Sequence, residues 1–405
     1  VPKPAGRAAL AFIFVSIVLD IVAFGIVIPV LPKLVEGFVN NDAAVAARWV
    51  GLFGTVWALM QFVCAPILGA LSDRYGRRPV LLLSIAGLGL DYVFMALAPT
   101  LGWLFVGRIL SGMTASGFAT ASAYIADVTE PENRAAAFGI VGAAWGFGFI
   151  VGPALGGVLG ASDPRLPFWV AGGLALVNAL YGLFILPESL PPEKRAPFTW
   201  TRANPLGSLA FLREHRELLP LTGVSFLYNL GHTVYPSVFV LWAGATLGWG
   251  AREVGLALAV VGIANVVVQG GVVRPLVRRL GARTAMAVGA TAGTVGFLIY
   301  GITSAPWMLW IAIVVYAPAG VFNPSLMGVM SKRVGPSGQG RLQGATSSVM
   351  GVAGMLGPGL FTLTFAAAIA PGAGWHLPGL PFVIAAVLFA AAGALALRRI
   401  RPGED

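Results

Sequence analysis

The chain has 405 residues, of which 57% are hydrophobic and only 10% charged, with 54 glycines. A soluble protein carries about 25% charged residues, so a chain this apolar belongs in a bilayer. The net charge of +10 does not point to nucleic acid, because the basic residues sit in short loops between apolar runs. A single cysteine, Cys64, excludes an intramolecular disulfide.

A helix needs about 20 apolar residues to cross the hydrocarbon. Twelve such runs are predicted, at roughly 8–32, 47–71, 79–99, 101–125, 135–160, 167–187, 218–244, 253–276, 283–303, 306–330, 342–370 and 377–397. The first is long enough to span and lacks a convincing cleavage site, so it reads as a span and not a signal peptide. The most charged interruption divides the chain into six spans (1–187), a linker (188–217) and six more spans (218–405). Within the linker, Pro205 to Leu218 mixes Leu206, Leu209, Phe211 and Leu212 with Arg213, Glu214, Arg216 and Glu217, as either a surface amphipathic helix or an ordinary connection. Among 26 Lys and Arg, only Lys33, Arg48, Arg165 and Arg252 fall in the loops of one face, and Arg108 lies inside a span. The rest share the other face, which places both termini in the cytoplasm.

The densest charge is Gly69-Ala-Leu-Ser-Asp73-Arg74-Tyr-Gly76-Arg77-Arg78-Pro79, between the second and third spans. Its composition suits an ion-paired hinge, with Gly76 allowing a tight turn. At an offset of 205, Ser72 to Arg78 aligns with Val277-Arg278-Arg279-Leu280-Gly281-Ala282-Arg283, Gly139 with Gly344, and Gly152-Pro153 with Gly357-Pro358. Three landmarks at one offset indicate two copies of a six-span unit, a design suited to halves that rock about a site near the midplane.

Two acids lie inside the first half's spans, Asp20 and Asp91. Each costs about 3 kcal/mol at a helix centre, so each requires a cavity or a partner. Both are candidates for proton uptake and release, with Arg108 one span further on as their cation; a fixed ion pair is the alternative. The second half has no intramembrane acid, but the seventh span carries Asn229 and His232, the latter either a proton partner, a substrate contact or a neutral hydrogen-bonded ring. Gln61 is the best uncharged polar candidate, and Trp57, Phe226, Tyr228 and Trp242 are candidate aromatic walls for an amphiphilic molecule. Asp127, at the end of the fourth span, is placed to pair with Arg77 or Arg134. The three histidines are far apart and no phosphate-binding loop or nucleophile motif is present, so no metal, cofactor or enzymatic activity is expected.

Gly69-x-x-x-Asp73-Arg74-x-Gly76-Arg77-Arg78 resembles the signature loop of the major facilitator superfamily. Gly148-x-x-x-Gly152-Pro153-x-x-Gly156-Gly157 and Arg108-x-x-x-Gly112 are similar to motifs of that family's proton-coupled antiporters. Leu19-Asp20 through Pro29-Val-Leu-Pro32, Ala58-Leu-Met-Gln61 and Leu90-Asp91-Tyr92 resemble the tetracycline-efflux branch. The resemblance implies an all-α membrane protein of twelve helices in two pseudo-symmetric six-helix bundles. It implies a monomer in the bacterial inner membrane, in contact with lipids and protons, that exports an amphiphilic drug or metabolite by proton antiport. In that group Asp127-type acids latch the signature loop, and a His in span eight and an Asp in span nine serve proton coupling; here those positions read Asn265 and Gly293. A permease without proton coupling and a non-transporting receptor are the alternatives.

Overall fold

A computed structural model describes residues 6–115, 117–130, 133–200, 203–205, 207, 212, 215–334, 338–370 and 376–400. The amphipathic reading of the linker lies largely outside these residues. Among them the chain is almost wholly helical, without strands, and helix covers most of each of the twelve apolar runs.

The first half contains α1 (Gly6–Val27), a short α2 (Leu31–Phe38), α3 (Ala43–Tyr75), α4 (Arg77–Ala96), α5 (Leu101–Thr114), α6 (Gly117–Val128), α7 (Arg134–Gly160) and α8 (Leu166–Ile185). The second contains α9 (Leu219–His232), α10 (Val234–Leu247), α11 (Ala251–Val267), α12 (Val273–Ile302), α13 (Pro306–Tyr316), α14 (Phe322–Lys332), α15 (Gln339–Ile369) and α16 (Leu380–Arg399). The fourth run is thus split into α5 and α6, the seventh into α9 and α10, and the tenth into α13 and α14.

Local chemistry accounts for several of these boundaries. Asn40 and Asn41 take left-handed φ values of 54° and 59°, a conformation that Asn tolerates. Asp42 Oδ1 then accepts hydrogen bonds from the Ala44 and Val45 amides, capping α3. The α9–α10 break precedes Pro236, which has no N–H to return to the His232 carbonyl. Pro318 lies in the 3-10 turn Ala317–Val321 that interrupts the tenth run. After α11, a π-turn at Val268–Val272 contains Gly270 and Gly271. α12 is itself two helical segments meeting at Gly281, whose φ of 78° and ψ of 162° leave the helical range.

Contacts group the chain into two compact units. One comprises Val1–Leu34, Val56–Pro205 and Gly250–Ala259; the other comprises Val35–Thr55, Leu206–Trp249 and Val260–Asp405. In the first unit α1 packs on α7 and α8, and α4 on α5 and α8. Its core includes Ile13, Ile17 and Ile21 of α1 against Tyr124 and Ile125 of α6 and Val141 and Ala144 of α7. In the second, α12 packs on α13, α14 and α16, and α9 on α15 and α16. An aromatic core of Tyr235, Phe239, Trp242, Phe297, Tyr300 and Phe382 fills it. The repeat is legible in the backbone: Gly76 and Gly281 share a left-handed φ at matching turns, and Pro153 and Pro358 both lie inside long helices.

Candidate transport site

The signature loop is a closed polar knot. Arg77 forms an ion pair with Asp73 Oδ1 at 2.6 Å, and its Nε donates to Asp127 Oδ2 at 3.1 Å. Its Nη1 also donates to Ser72 Oγ at 2.7 Å, while that hydroxyl donates to the Gly69 carbonyl. Only 11% of the Arg77 side chain is exposed, which makes this arrangement tighter than an ordinary surface pair. Arg77 is thus one of the two partners expected for Asp127; the side chain of the other, Arg134, lies outside the described residues. The knot has a further member that motif reading missed. Glu188, just past α8, accepts hydrogen bonds from the Arg77 and Arg78 amides at 2.8 and 3.3 Å. These are otherwise orphan donors at the start of α4. Gly76 precedes them at φ 106°, and a Cβ there would collide with the Glu188 carboxylate. Arg78 donates to the Leu183 carbonyl at 2.6 Å, and Arg74 lies over the Tyr75 ring. The available signal was the isolated acid immediately following an apolar run.

Deeper in the first unit, Asp20 sits midway along α1, half-buried. Asn178 Nδ2 of α8 donates to Asp20 Oδ1 at 2.9 Å and to the Ser16 carbonyl at 3.0 Å. Asn178 is fully buried, and as a polar residue in the middle of the sixth run it was visible in the sequence. Asp91 is 2% exposed, and its carboxyl lies beside Ser111 and Arg108 of α5. Arg108 is also buried and acts on Asp91 electrostatically without forming a direct ion pair. Gly107 makes the room: a Cβ there would lie 3.2 Å from Asp91 Oδ1. Two ionisable groups are therefore held inside the protein with incomplete pairing, an arrangement that is costly and serves function where it persists.

The Arg108-x-x-x-Gly112 spacing has a direct meaning. One turn apart on α5, both residues face α3: the guanidinium lies 5.5 Å from the Trp57 ring centroid, and a Cβ at Gly112 would stand 2.5 Å from the Trp57 carbonyl oxygen. From Trp57 an aromatic series continues through Phe24 (centroids 5.8 Å apart) to Phe149 (6.3 Å) and Trp145 (5.6 Å). Phe24 is one turn beyond Asp20 on α1. The series thus runs beside the acid at one point and meets the cation at its end. Phe24, Trp145 and Phe149 were not singled out in the sequence, since aromatics in spans are common. Gln61, one turn beyond Trp57 on α3, is half-buried.

The α7 glycines face α1. A Cβ on Gly148 would lie 2.7 Å from Ile21 Cβ, and one on Gly152 would lie 2.7 Å from Gly25 Cα. Gly156 meets the Ile26 carbonyl in the same way, and Gly157 meets Gly255 Cα at 2.9 Å within the same unit. No side chain fits along this seam, so the spacing sets α1 at backbone distance from α7. Pro153 is the helix-interior proline beside it.

In the second unit, Asn229 donates to the Ser225 carbonyl at 2.7 Å on its own helix. His232 ends α9, its ring centroid 6.2 Å from that of Tyr228. Tyr228 is buried, stacked on Phe322 at 4.9 Å, and its hydroxyl donates to the Ala319 carbonyl. Phe226 is half-buried. Trp242 corrects the expectation of a cavity wall: it is fully buried, packed edge-on to Phe382 and Tyr300 in the aromatic core, because its flank of α10 turns inward. Asn265 accepts a hydrogen bond from Gln269 at 2.9 Å. At Gly293 the Phe389 ring occupies the space of a side chain, with Cε1 2.5 Å from a built Cβ. An acid has no room there.

Comparison with known proteins agrees with this architecture. The family description Major Facilitator Superfamily matches residues 13–358. The chain is 37% identical over 381 residues to the class C tetracycline resistance protein of Escherichia coli, covering 94% of both chains. It is 33% identical over 371 residues to the class B protein of the same organism, covering 91% of this chain and 92% of that one. Among solved structures, the human organic anion transporter MFSD10 aligns with a TM-score of 0.70 at 24% identity, over 97% of this chain and all of that one. The nucleoside transporter NupG aligns with a TM-score of 0.78 at 14% identity, over 96% of this chain and 98% of that one. At these identities the two structures speak to the fold alone, while the family match and the relatives carry the assignment. The chain is a multi-pass membrane transporter of the Major Facilitator Superfamily, acting on a small-molecule substrate and not an enzyme.

Proposed function

We propose that this transporter exports an amphiphilic compound, tetracycline-like in its chemistry, in exchange for protons, from the bacterial cytoplasmic membrane with both termini inside. The observation that carries this reading is the first unit's arrangement of Asp20, Asn178 and the aromatic series ending at Arg108. A flat, partly apolar molecule carrying polar groups matches an aromatic wall with an acid at its side and a cation at its end. The names of the relatives, tetracycline resistance proteins of several classes, support the substrate class.

The proton path rests on the first half. Asp20 and Asp91 are its intramembrane acids, and Arg108 is the charge near Asp91. The second half contributes Asn265 and Gly293 where the efflux group places ionisable residues, and supplies Asn229 and His232 as polar contacts. Asp20 and Asp91 exchange protons as the two halves alternate the side from which they are reached. The knot at Asp73, Arg77, Asp127 and Glu188 lies at the loop between spans and not beside the aromatic series. Its role is to hold one conformation rather than to touch substrate.

The test uses purified protein in liposomes loaded with a tetracycline or another amphiphilic drug, with a pH gradient imposed across the bilayer. Wild type moves drug and protons in opposite directions. Asp20→Asn and Asp91→Asn abolish gradient-driven movement while binding of the drug, read by tryptophan fluorescence, persists. Drug flux indifferent to the gradient, or unchanged in both variants, overturns the coupling mechanism.

A further inference from the structure

The repeat that relates the two halves also relates their charges, and the relation is an inversion. At the offset of 205, Arg77 corresponds to Ala282, Asp73 to Arg278 and Asp127 to Lys332. In the first half a cationic side chain fills the space between two carboxylates. In the second half the cation is reduced to a methyl group and both carboxylates are replaced by cations. The backbone around the two sites is alike, with Gly76 and Gly281 each at positive φ between two helical segments. What the first half packs with Arg77 is open in the second. A half-open cavity of about 490 Å³ is lined there by the exposed side chains of Arg274, Arg278 and Lys332, with Ala282, Ser325 and Gly328 among its other walls.

Among the described residues no carboxylate pairs with Arg274, Arg278 or Lys332, and the second half's acids are confined to Glu214, Glu217, Glu253, Glu404 and Asp405. Neighbouring cations elsewhere are engaged: Arg283 donates to the Ile400 and Leu397 carbonyls, and Arg333 to the Arg399 carbonyl. Three like charges around one cavity repel each other, and an anion seated among them removes that repulsion. Two guanidinium groups and an ammonium suit a tetrahedral oxyanion, because guanidinium forks bind phosphate oxygens in pairs. The remaining walls are apolar: Val273, Val277, Pro324 and Val329. A site at the end of membrane-spanning helices, part cationic and part apolar, fits an organic phosphate.

We propose that this cavity binds a phosphate group, carried either by the headgroup of an anionic phospholipid or by a soluble phosphate ester. The first half's latch is closed by its own arginine; the second half's counterpart is closed by a ligand.

The experiment uses the full chain, purified and delipidated, in nanodiscs or neutral detergent. One arm titrates phosphatidylglycerol against phosphatidylcholine and counts retained lipids by native mass spectrometry. The other titrates inorganic phosphate and glycerol 3-phosphate by calorimetry in phosphatidylcholine nanodiscs. The proposal expects at least tenfold tighter binding of phosphatidylglycerol than phosphatidylcholine, or a saturable soluble-phosphate isotherm. Either result supports the site, and which arm responds identifies the source. The double variant Arg278→Gln with Lys332→Gln should lose at least tenfold in affinity, and Arg279→Gln, whose side chain does not line the cavity, should lose none. Gly328→Leu fills the cavity without changing charge; a Cβ there has no neighbour within 4 Å, so the fold accommodates it. It should lose binding as the double variant does. Binding in neither arm, or binding unchanged in both the double variant and Gly328→Leu, overturns the proposal.

Discussion

The seating of Glu188 over Gly76 can be measured by a double-mutant cycle. Glu188→Ala removes the acceptor for two amides at the start of α4. A lost cap costs about 0.5–2 kcal/mol, and the exposed setting of these bonds places the loss near 1 kcal/mol. Gly76→Ala carries two costs. A non-glycine residue at φ 106° and ψ 158° is strained by about 1–3 kcal/mol. In addition, the new Cβ collides with the Glu188 carboxylate and displaces it, forfeiting the same cap a second time. The double variant pays the backbone strain and loses the cap once. It is therefore less destabilised than the sum of the single variants, by about 1 kcal/mol. Equilibrium unfolding in mixed micelles titrated with SDS gives the three free energies. Additivity within about 0.3 kcal/mol would refute the assignment of Glu188 to this turn, since it would mean that the two sites do not share a contact.

Three further outcomes follow from the geometry. Gly152→Leu should separate α1 from α7 and destabilise the protein by about 1–3 kcal/mol, the cost of overpacking, with drug transport lost; a thermal shift no larger than that of an exposed-site control such as Gly173→Leu would contradict the seam. Trp57→Phe should retain substrate binding while Trp57→Ala weakens it about tenfold, the loss of one aromatic face worth about 0.5–1.5 kcal/mol, read by fluorescence titration. Asp73→Asn should slow transport several-fold with drug affinity unchanged, since Asp73 holds Arg77 and not substrate; a large loss of affinity in equilibrium binding would count against that role.

Much of the architecture was legible because a bilayer enforces simple rules. Among the described residues helix covers most of each predicted span, and one glycine pair at the constant offset, Gly76 and Gly281, proved to be the same positive-φ turn twice. Asp20, Asp91 and Arg108 could be found by asking which charges lie inside spans, since each such residue is expensive. Glu188 and Asn178 were harder. They belong to no local pattern, and their roles arise from helices that are distant in sequence: Asn178 reaches Asp20 across 158 residues and Glu188 reaches Arg77 across 111. Trp242 shows the opposite failure. Composition marked it as an aromatic near the site, but an aromatic on a helix buried on nearly all sides goes into the core, and span-level hydropathy does not report which side faces inward. The departure at Gly293 was visible as a missing acid, yet only Phe389 explains why no side chain replaces it.

The seam between Gly25 and Gly152 has a consequence for how motion crosses the first unit. Where helices interlock through large side chains, sliding one along the other requires rotamers to change, so the contact moves in discrete steps and each step has a barrier. At this crossing, backbone lies against backbone and no rotamer has to reset. One turn along, the Ile21 side chain is seated against Gly148, so the backbone crossing and this side-chain contact together tie α1 to α7. Asp20 lies a turn and a half from that crossing. A displacement of α7 that carries α1 with it would therefore move the Asp20 carboxylate against its hydrogen-bond partner Asn178 of α8.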